Sequence, residues 1–289
     1  MKFTPNKTQF LIGGHASLKD AEFVILPVPY ERTTSYGKGA KNGPAAILDA
    51  SRQLELWDEE TKKEFRTESV VTLAPVSCSG SEKSFFSGLE KNTAELLAAI
   101  KGIPIFIGGE HSITQALLPP FQKKYKDLSI LHFDAHPDLY PQYRGSARSH
   151  ASALYPASRK TRTVQIGIRN AGLTETKFMN SDKVKTYLMH ENLDLARLEK
   201  NVLKDLSGTV YLSIDVDGFD PSVMPGTGTP QPGGFQWYEA LKLFKAVCKK
   251  KKIVGMDIVE VSPVKGSNIT EFAAAKLIYR LMGYLSTKH

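Results

Sequence analysis

The chain has 289 residues, of which 41% are hydrophobic and 24% are charged, a composition typical of an ordinary globular protein. It contains no apolar run long enough to span a membrane, and its start, MKFTPNKTQF, lacks a secretion signal, so we expect a cytoplasmic protein with no membrane partner. The formal net charge is +8, but the basic residues are scattered along the chain and no nucleic-acid-binding motif accompanies them. This distribution argues against a nucleic-acid partner.

Predicted strands and helices alternate along the chain. Short apolar or β-branched runs predict eight strands, namely EFVILP from Glu22, SVVTLA from Ser69, PIFIGG from Pro104, LSILHFD from Leu128, TVQIGI from Thr163, VKTYLM from Val184, TVYLSID from Thr209 and IVGMDIVE from Ile253. Helical spacing predicts helices at residues 44–52, 90–100, 113–125, 195–206, 237–250 and 271–285. We therefore expect one α/β domain over residues 1–289, with three α/β/α layers and a mostly parallel sheet of about eight strands.

The stretch LHFDAHPDLY, residues 131–140, shows where the functional residues lie in such a sheet. Pro137 cannot donate to a strand ladder, so the strand must end near Ala135. Asp134 then stands at the strand end, and His136 and Asp138 lie in the loop beyond it. Ligands of open parallel sheets bind beyond the carboxyl ends of the strands, so these residues are candidates for a site.

Four predicted strand ends carry candidate metal ligands or acidic groups. They are His111 in IGGEHS, Asp134, His136 and Asp138 in FDAHPD, Asp215 and Asp217 in SIDVDGFDP, and Glu260 in MDIVEVSP. A lone histidine beside a Gly-Gly turn is more often structural, and an isolated DxD is often a helix cap or a solvated loop. Four aspartates at one sheet edge, however, repel one another unless cations neutralise them. The combination therefore predicts a metal site.

The ligand types indicate which metal the site would bind. Carboxylates and two imidazoles, without cysteine, suit Mn²⁺ better than a structural Zn²⁺. Six ligands exceed one tetrahedral site, so two ions bridged by shared carboxylates are expected. Paired ions bring the pKa of a bridging water into the neutral range, which predicts hydrolysis by a metal-bridging hydroxide.

Four motifs resemble those of the ureohydrolases, the arginase and agmatinase family. They are GGEHS, DAHPD, SIDVDGFDPSVMPGTGTPQPGG and DIVEVSP, in this order, and the resemblance runs from about Pro27 to the C-terminal helix. Members of this family cleave a guanidinium group to urea and an amine with a binuclear manganese centre. The resemblance implies an arginase-like fold, a homotrimer or homohexamer, and two Mn²⁺ per subunit bound by His111, Asp134, His136, Asp138, Asp215 and Asp217.

The resemblance also implies two catalytic residues. Glu260 would pair with the guanidinium, whose planar fork matches a carboxylate, and His150 in RSHAS would move protons. An imidazole can protonate the leaving amine, which would otherwise depart as an unstable anion. His132 lies deeper in its strand, and we predict that it supports the ligands without binding metal.

The substrate is predicted from the residue that follows the metal motif. The arginase branch typically has an asparagine where this chain has Tyr140, so the chain resembles the agmatinase branch, whose substrate lacks a carboxylate. The segment PYERTTSYGKGAKNGPAAI, residues 29–47, resembles agmatinases too. Tyr140 and Thr229 are predicted contacts with the substrate. We therefore predict hydrolysis of agmatine to urea and putrescine in polyamine biosynthesis.

Some residues depart from the agmatinase pattern and leave alternatives open. These residues are Ala151, Ser152, Gln231, Lys265 and Gly266. Aminopropyl-agmatine is therefore the main alternative substrate, followed by arginine and other guanidino or formimino compounds. An amide deacetylase and a metal-stabilised inactive regulatory homologue are two alternatives from other classes. Glu260 argues against the deacetylase because an amide offers no cation to pair, and the complete residue set argues against the inactive homologue.

Overall fold

A computed structural model describes residues 3–11, 17–65 and 67–286. Its strands are β1 (Phe23–Val28), β2 (Trp57–Asp58), β3 (Lys63–Glu64), β4 (Val70–Thr72), β5 (Ile103–Gly108), β6 (Leu128–Phe133), β7 (Arg162–Ile168), β8 (Val184–Leu188), β9 (Thr209–Asp215) and β10 (Lys252–Val259). Its α-helices are α1 (Gly43–Ser51), α2 (Glu82–Ala99), α3 (Thr114–Lys124), α4 (Tyr155–Ser158), α5 (Leu173–Thr176), α6 (Leu195–Asp205), α7 (Trp237–Lys250) and α8 (Ile269–Leu285). Short 3-10 helices cover Ala40–Asn42, Thr67–Ser69, His111–Ile113, His150–Ser152, Met189–Glu191 and Val216–Gly218. None of the helices in these ranges is long and apolar enough to cross a membrane.

Eight strands form one parallel sheet. The order across it is β4-β1-β5-β10-β9-β6-β7-β8, whereas β2 and β3 form a separate antiparallel pair. The four strands whose ends carry the predicted ligands, β5, β10, β9 and β6, are neighbours in the middle of the sheet. Because all of them run in the same direction, their carboxyl ends meet at one edge.

The strand register brings the predicted site residues to the same level. Val259 of β10 lies beside Asp215 of β9, and Phe133 of β6 lies beside Ile214. Asp134 and Glu260 each follow directly after one of these paired residues. The three acidic side chains therefore leave the sheet within about one residue of each other, as a parallel sheet with this register requires.

Helices cover both faces of the sheet. α1, α6, α7 and α8 pack together on one face, and α2, α3 and α4 pack together on the other. The strand side chains alternate between two cores, so Ile105 and Ile107 point into one and Phe106 points into the other. Burial on both faces explains why the strands read as continuous apolar runs. The predicted three-layer α/β/α fold with an eight-stranded parallel sheet is confirmed.

One helix is longer than the sequence indicates. The spacing predicts a helix at residues 90–100, whereas α2 already begins at Glu82. The Ser81 hydroxyl accepts a hydrogen bond from Ser84 N and so caps the helix start. Several serines precede α2, and each could act as a cap, which is why the spacing alone does not locate the start.

Candidate metal centre and active site

One group of predicted ligands surrounds His111. β5 ends at Gly108, and His111 begins the 3-10 helix that follows. Its Nδ1 lies 3.1 Å from Asp134 Oδ2, 3.1 Å from Asp138 Oδ2 and 3.3 Å from Asp215 Oδ2. All four side chains are buried. The structure thus brings three carboxylates from two strand ends around one imidazole nitrogen.

A second group lies beside the first, around His136. Its Nδ1 lies 3.0 Å from Asp217 Oδ2 and 3.5 Å from Asp134 Oδ1. Asp134 belongs to both groups, because its Oδ2 faces His111 and its Oδ1 faces His136. All six predicted ligands therefore converge, and Asp134 is the residue that faces both histidines.

This donor set fits metal ions better than it fits protons. His111 Nδ1 is buried without a hydrogen-bond partner in the described part of the chain, although three carboxylate oxygens lie near it. One N–H could satisfy only one of those oxygens. Burial, and then the charges of Asp217 and Asp134, raise the pKa of Asp215 well above its usual range. A cation would relieve both conditions, so this cluster is able to hold metal.

Three further buried side chains fix the orientation of His111. Its Nε2 lies 2.9 Å from Ser213 Oγ, and the Ser213 hydroxyl donates to Asp257 Oδ1 at 2.8 Å. The Tyr211 hydroxyl donates to the other oxygen of Asp257 at 2.8 Å. Because Ser213 uses its proton on Asp257, it accepts from His111 Nε2–H, which leaves Nδ1 unprotonated for a metal. Sequence reasoning missed Ser213, although it lies two residues before Asp215 and shares its face of the strand.

His132 has the contacts of a supporting residue. It lies close enough to be grouped with the ligands. However, Gln165 Nε2 donates to its Nδ1 at 2.9 Å, and its Nε2 lies 2.8 Å from Asp134 Oδ2. Both ring nitrogens are therefore engaged, and His132 orients Asp134.

Glu260 lies next to the metal ligands in a strained conformation. Its φ of 64° is rare for a residue with a side chain, and Asp138 shares this feature with a φ of 51°. The backbone N–H of Glu260 donates to Gly109 O at 2.8 Å, and its Oε1 accepts from His111 N at 2.7 Å. A carboxylate offers about four acceptor positions, so this contact leaves room for a guanidinium.

A cavity of about 280 Å³ opens above the ligands. Two loops form part of its mouth, and they touch where Gly37 N donates to Gly228 O at 3.1 Å. A Cβ at Gly37 would lie 2.8 Å from Gly228 Cα, so only glycine permits this approach. The twenty lining residues in the described ranges include five carboxylates, those of Asp138, Glu175, Asp215, Asp217 and Glu260, and no lysine or arginine.

Glu175 is a lining residue that sequence reasoning missed. Its Oε1 accepts from Leu139 N at 2.9 Å and its Oε2 accepts from Gly172 N at 2.8 Å. Burial is the main reason why the pKa of Glu175 is raised to about 7. Tyr140 lies beside it, and a Cβ at Gly172 would fall 1.7 Å from the Tyr140 hydroxyl oxygen, so a glycine at this position allows that ring placement.

The other predicted pocket residues divide into two sets. Thr229, Ala151 and Gln231 line the cavity. Ser152 is fully buried, and Lys265 and Gly266 are exposed outside the lining. The departures from the agmatinase pattern at these last three positions therefore do not alter the cavity wall directly.

His150 lines the same cavity. Its Nδ1 lies 3.2 Å from Thr33 Oγ1, and its backbone N–H donates to that same oxygen at 3.0 Å. The ring of Tyr143 meets the imidazole edge-on, with 5.9 Å between ring centroids. The structure therefore places the predicted proton carrier in one cavity with Glu260 and four of the six predicted metal ligands.

Comparisons with known proteins agree with this site. A sequence profile described as the Arginase family matches residues 21–283. The chain belongs to the arginase family. The predicted family and enzyme class, a ureohydrolase of the agmatinase-like branch, are thereby confirmed.

Individual members of the arginase family resemble the whole chain. It is 35% identical to N(1)-aminopropylagmatine ureohydrolase of Synechocystis, with 98% of this chain and 95% of the relative covered. It is 33% identical to agmatinase of Pyrococcus horikoshii, covering 92% of this chain and 93% of the relative. The crystal structure of agmatine ureohydrolase of Thermoplasma volcanium superposes with a TM-score of 0.85 at 26% identity, covering 97% and 94% of the two chains.

Proposed function

We propose that the chain is a manganese-dependent ureohydrolase that converts agmatine to urea and putrescine. The observation that carries this proposal is the convergence of the six predicted metal ligands beside a cavity that Glu260 lines and that has no lysine or arginine among its described lining residues. A related compound, aminopropyl-agmatine, is the second candidate substrate. The similarity to ureohydrolases with that name, from Synechocystis and Thermus thermophilus, favours it.

The metal ligands and Glu260 have separate roles in this proposal. His111, Asp134, His136, Asp138, Asp215 and Asp217 would hold two Mn²⁺, which supply an activated water nucleophile when bound. Glu260 pairs with the planar guanidinium through charge-assisted hydrogen bonds and holds its carbon over the ligand cluster. His150 supplies the proton that the leaving amine nitrogen takes up as its bond to carbon breaks.

Charge balance supports a substrate with two cationic ends. Two divalent ions would neutralise the four aspartates, which leaves Glu175 and Glu260 as the remaining acidic side chains of the cavity. Agmatine carries a guanidinium at one end and an ammonium at the other, and aminopropyl-agmatine carries a further ammonium. Arginine adds a carboxylate that has no cationic partner among the described lining residues, so its binding is disfavoured.

We also propose that the protein acts in the cytoplasm in polyamine biosynthesis, as a homotrimer or homohexamer. The product of the proposed reaction is a diamine or a longer polyamine, which supports the biosynthetic role. The resemblance to ureohydrolases supports the assembly. The oligomeric state can be measured directly by light scattering of the purified protein.

Urea release from Mn²⁺-loaded protein distinguishes the candidate substrates. Agmatine, aminopropyl-agmatine, arginine and guanidinobutyrate are compared side by side, and we expect one of the first two to give the highest kcat/KM. The two carboxylate-bearing compounds should be slower by about 100-fold or more, because each would bury an unpaired negative charge. Preference for arginine would contradict the substrate proposal. Absence of urea release from all four compounds would contradict the ureohydrolase proposal itself.

In this proposal Glu175 binds the distal ammonium of the substrate. This role can be tested with a substrate that lacks the ammonium. We expect wild-type protein to prefer agmatine over butylguanidine, which has the same guanidinium but an apolar end. Glu175→Gln should reduce this preference by about tenfold or more, since hydrogen bonds to charged groups contribute roughly 1.5–3 kcal/mol.

Glu90→Gln is the matched control for Glu175→Gln. It makes the same chemical change at an exposed position on α2, outside the cavity. The control should leave both kcat/KM values unchanged. An undiminished preference for agmatine in Glu175→Gln would show that another group binds the ammonium.

A further inference from the structure

A buried carboxylate outside the cavity lining is linked to His150 through one hydroxyl. Glu110 is fully buried, and its Oε2 accepts from the backbone N–H groups of Arg32 and Thr33, both at 2.6 Å. Its Oε1 accepts from the Ser112 hydroxyl at 2.6 Å and from the Thr33 hydroxyl at 2.8 Å. Thr33 in turn lies 3.2 Å from His150 Nδ1. Neither Thr33 nor Glu110 lines the cavity.

The direction of these hydrogen bonds follows from their chemistry. The Thr33 hydroxyl donates its single proton to Glu110 Oε1 at 2.8 Å. The Thr33 oxygen can then only accept from the His150 ring, which requires a proton on Nδ1. Ser149 Oγ is the more distant neighbour of this nitrogen, at 3.4 Å. The arrangement therefore favours the tautomer with Nδ1 protonated and Nε2 free.

We propose that Thr33 and Glu110 are positioning residues that hold His150 in the Nδ1–H tautomer and direct its proton exchange through Nε2. This inference rests on the proposed ureohydrolase function. It assigns to PYERTTSYGKGAKNGPAAI, residues 29–47, a role in catalysis besides forming the cavity mouth. Neither residue lines the cavity, so both would act through the orientation and tautomer of His150.

The Nδ1–H tautomer would let His150 accept one proton at Nε2 and return it during the reaction. Water adds its hydroxyl group to the guanidinium carbon, and His150 Nε2 takes the remaining proton. The imidazolium returns this proton to the leaving nitrogen, which keeps the electron pair of the broken C–N bond. The hydroxyl proton leaves as the urea carbonyl forms, and the amine takes it up as ammonium. Nδ1 keeps its proton throughout, because Thr33 accepts from it in both charge states.

A double-mutant cycle tests whether Thr33 acts through His150. We expect Thr33→Val to lower kcat by about 10- to 100-fold with unchanged KM and metal content, because it removes the hydroxyl that orients a general acid. Thr33→Ser keeps the hydroxyl and should restore kcat to within about threefold of wild type. In the His150→Ala background, Thr33→Val should change kcat by less than about twofold.

Ser112→Ala is the matched control for this cycle. It removes the other hydroxyl from the same oxygen of Glu110 but leaves the His150 contact in place. The fold-changes in kcat caused by Ser112→Ala and His150→Ala should multiply in the double variant, because their activation free energies should add. Equal effects of Thr33→Val with and without His150 would overturn the proposal, because Thr33 would then act independently of this histidine.

The tautomer can be observed directly, without turnover. Protein labelled with ¹⁵N-histidine should give a His150 signal of the Nδ1–H tautomer, identified by its loss in His150→Ala, and Thr33→Val should shift it towards a mixture. An Nε2–H tautomer in wild type would overturn the inference even if Thr33→Val fails to fold. Absence of urea release by wild type would instead overturn the proposed function, so the two failures are distinguishable.

Discussion

His136→Ala and Asp217→Ala should each lose one of two bound metal ions and nearly all urea release. His136 Nδ1 lies 3.0 Å from Asp217 Oδ2, and these two residues form one ligand group with Asp134. Asp134 also belongs to the group around His111. Removing either ligand leaves an incomplete set for the second ion, whereas the His111 group stays intact. Substitution of residues that only support metal ligands lowers metal affinity or activity by about 10- to 100-fold. Removal of a ligand itself should therefore lower kcat by more than about 100-fold. Metal analysis of dialysed, Mn²⁺-loaded protein and a urea assay measure both effects.

His150→Ala is the control that separates metal binding from proton transfer. His150 lines the cavity but lies outside both ligand groups, so this variant should keep two ions while turning over slowly. His190→Ala, at an exposed position beside Glu191, controls for removal of an imidazole and should behave like wild type. Unchanged ion content in His136→Ala or Asp217→Ala would refute the ligand assignment.

The strands could be predicted from the sequence, but their order could not. β1 and β6 are buried along their whole length and therefore read as largely apolar runs, which is a strong local signal. β10 is the last strand in the sequence, yet it lies between β5 and β9. That position depends on how the crossover helices pack, and no local pattern in the chain records it.

The predicted metal ligands could be found in the sequence because two of them, Asp134 and Asp215, end apolar runs. Asp134 and Asp215 follow buried strand residues, where an unneutralised carboxylate is costly. Glu175 gave no such signal, because it lies in the polar segment TETKF and resembles a solvated helix residue. Thr33 gave none either, since its role depends on contacts with Glu110 and His150, which are remote in sequence. The sequence therefore marks residues that stand in motifs next to apolar runs, and misses those whose role depends only on contacts with residues remote in the chain.

Glu260→Gln should abolish most activity on guanidino compounds without loss of fold or metal. The amide oxygen can still accept from His111 N, which Glu260 Oε1 accepts at 2.7 Å, so local structure should persist. The amide nitrogen, however, is a donor and would face the donors of the guanidinium. Losing one charge and its paired hydrogen bonds should lower kcat/KM for agmatine by about 100-fold or more, or roughly 3 kcal/mol. Urea assays, metal analysis and thermal unfolding together measure this outcome.

The result of Glu260→Gln also decides between reaction classes. A ureohydrolase needs a carboxylate for a cationic substrate, whereas an amide deacetylase binds a neutral group and has no use for that charge. Glu260→Asp keeps the charge on a shorter side chain, so it should retain more activity than Glu260→Gln if the charge matters. Equal losses in both variants would indicate that Glu260 acts through its shape, and full activity in Glu260→Gln would favour an uncharged substrate. A large loss in Glu260→Gln with partial retention in Glu260→Asp is the pattern that a cationic guanidino substrate requires.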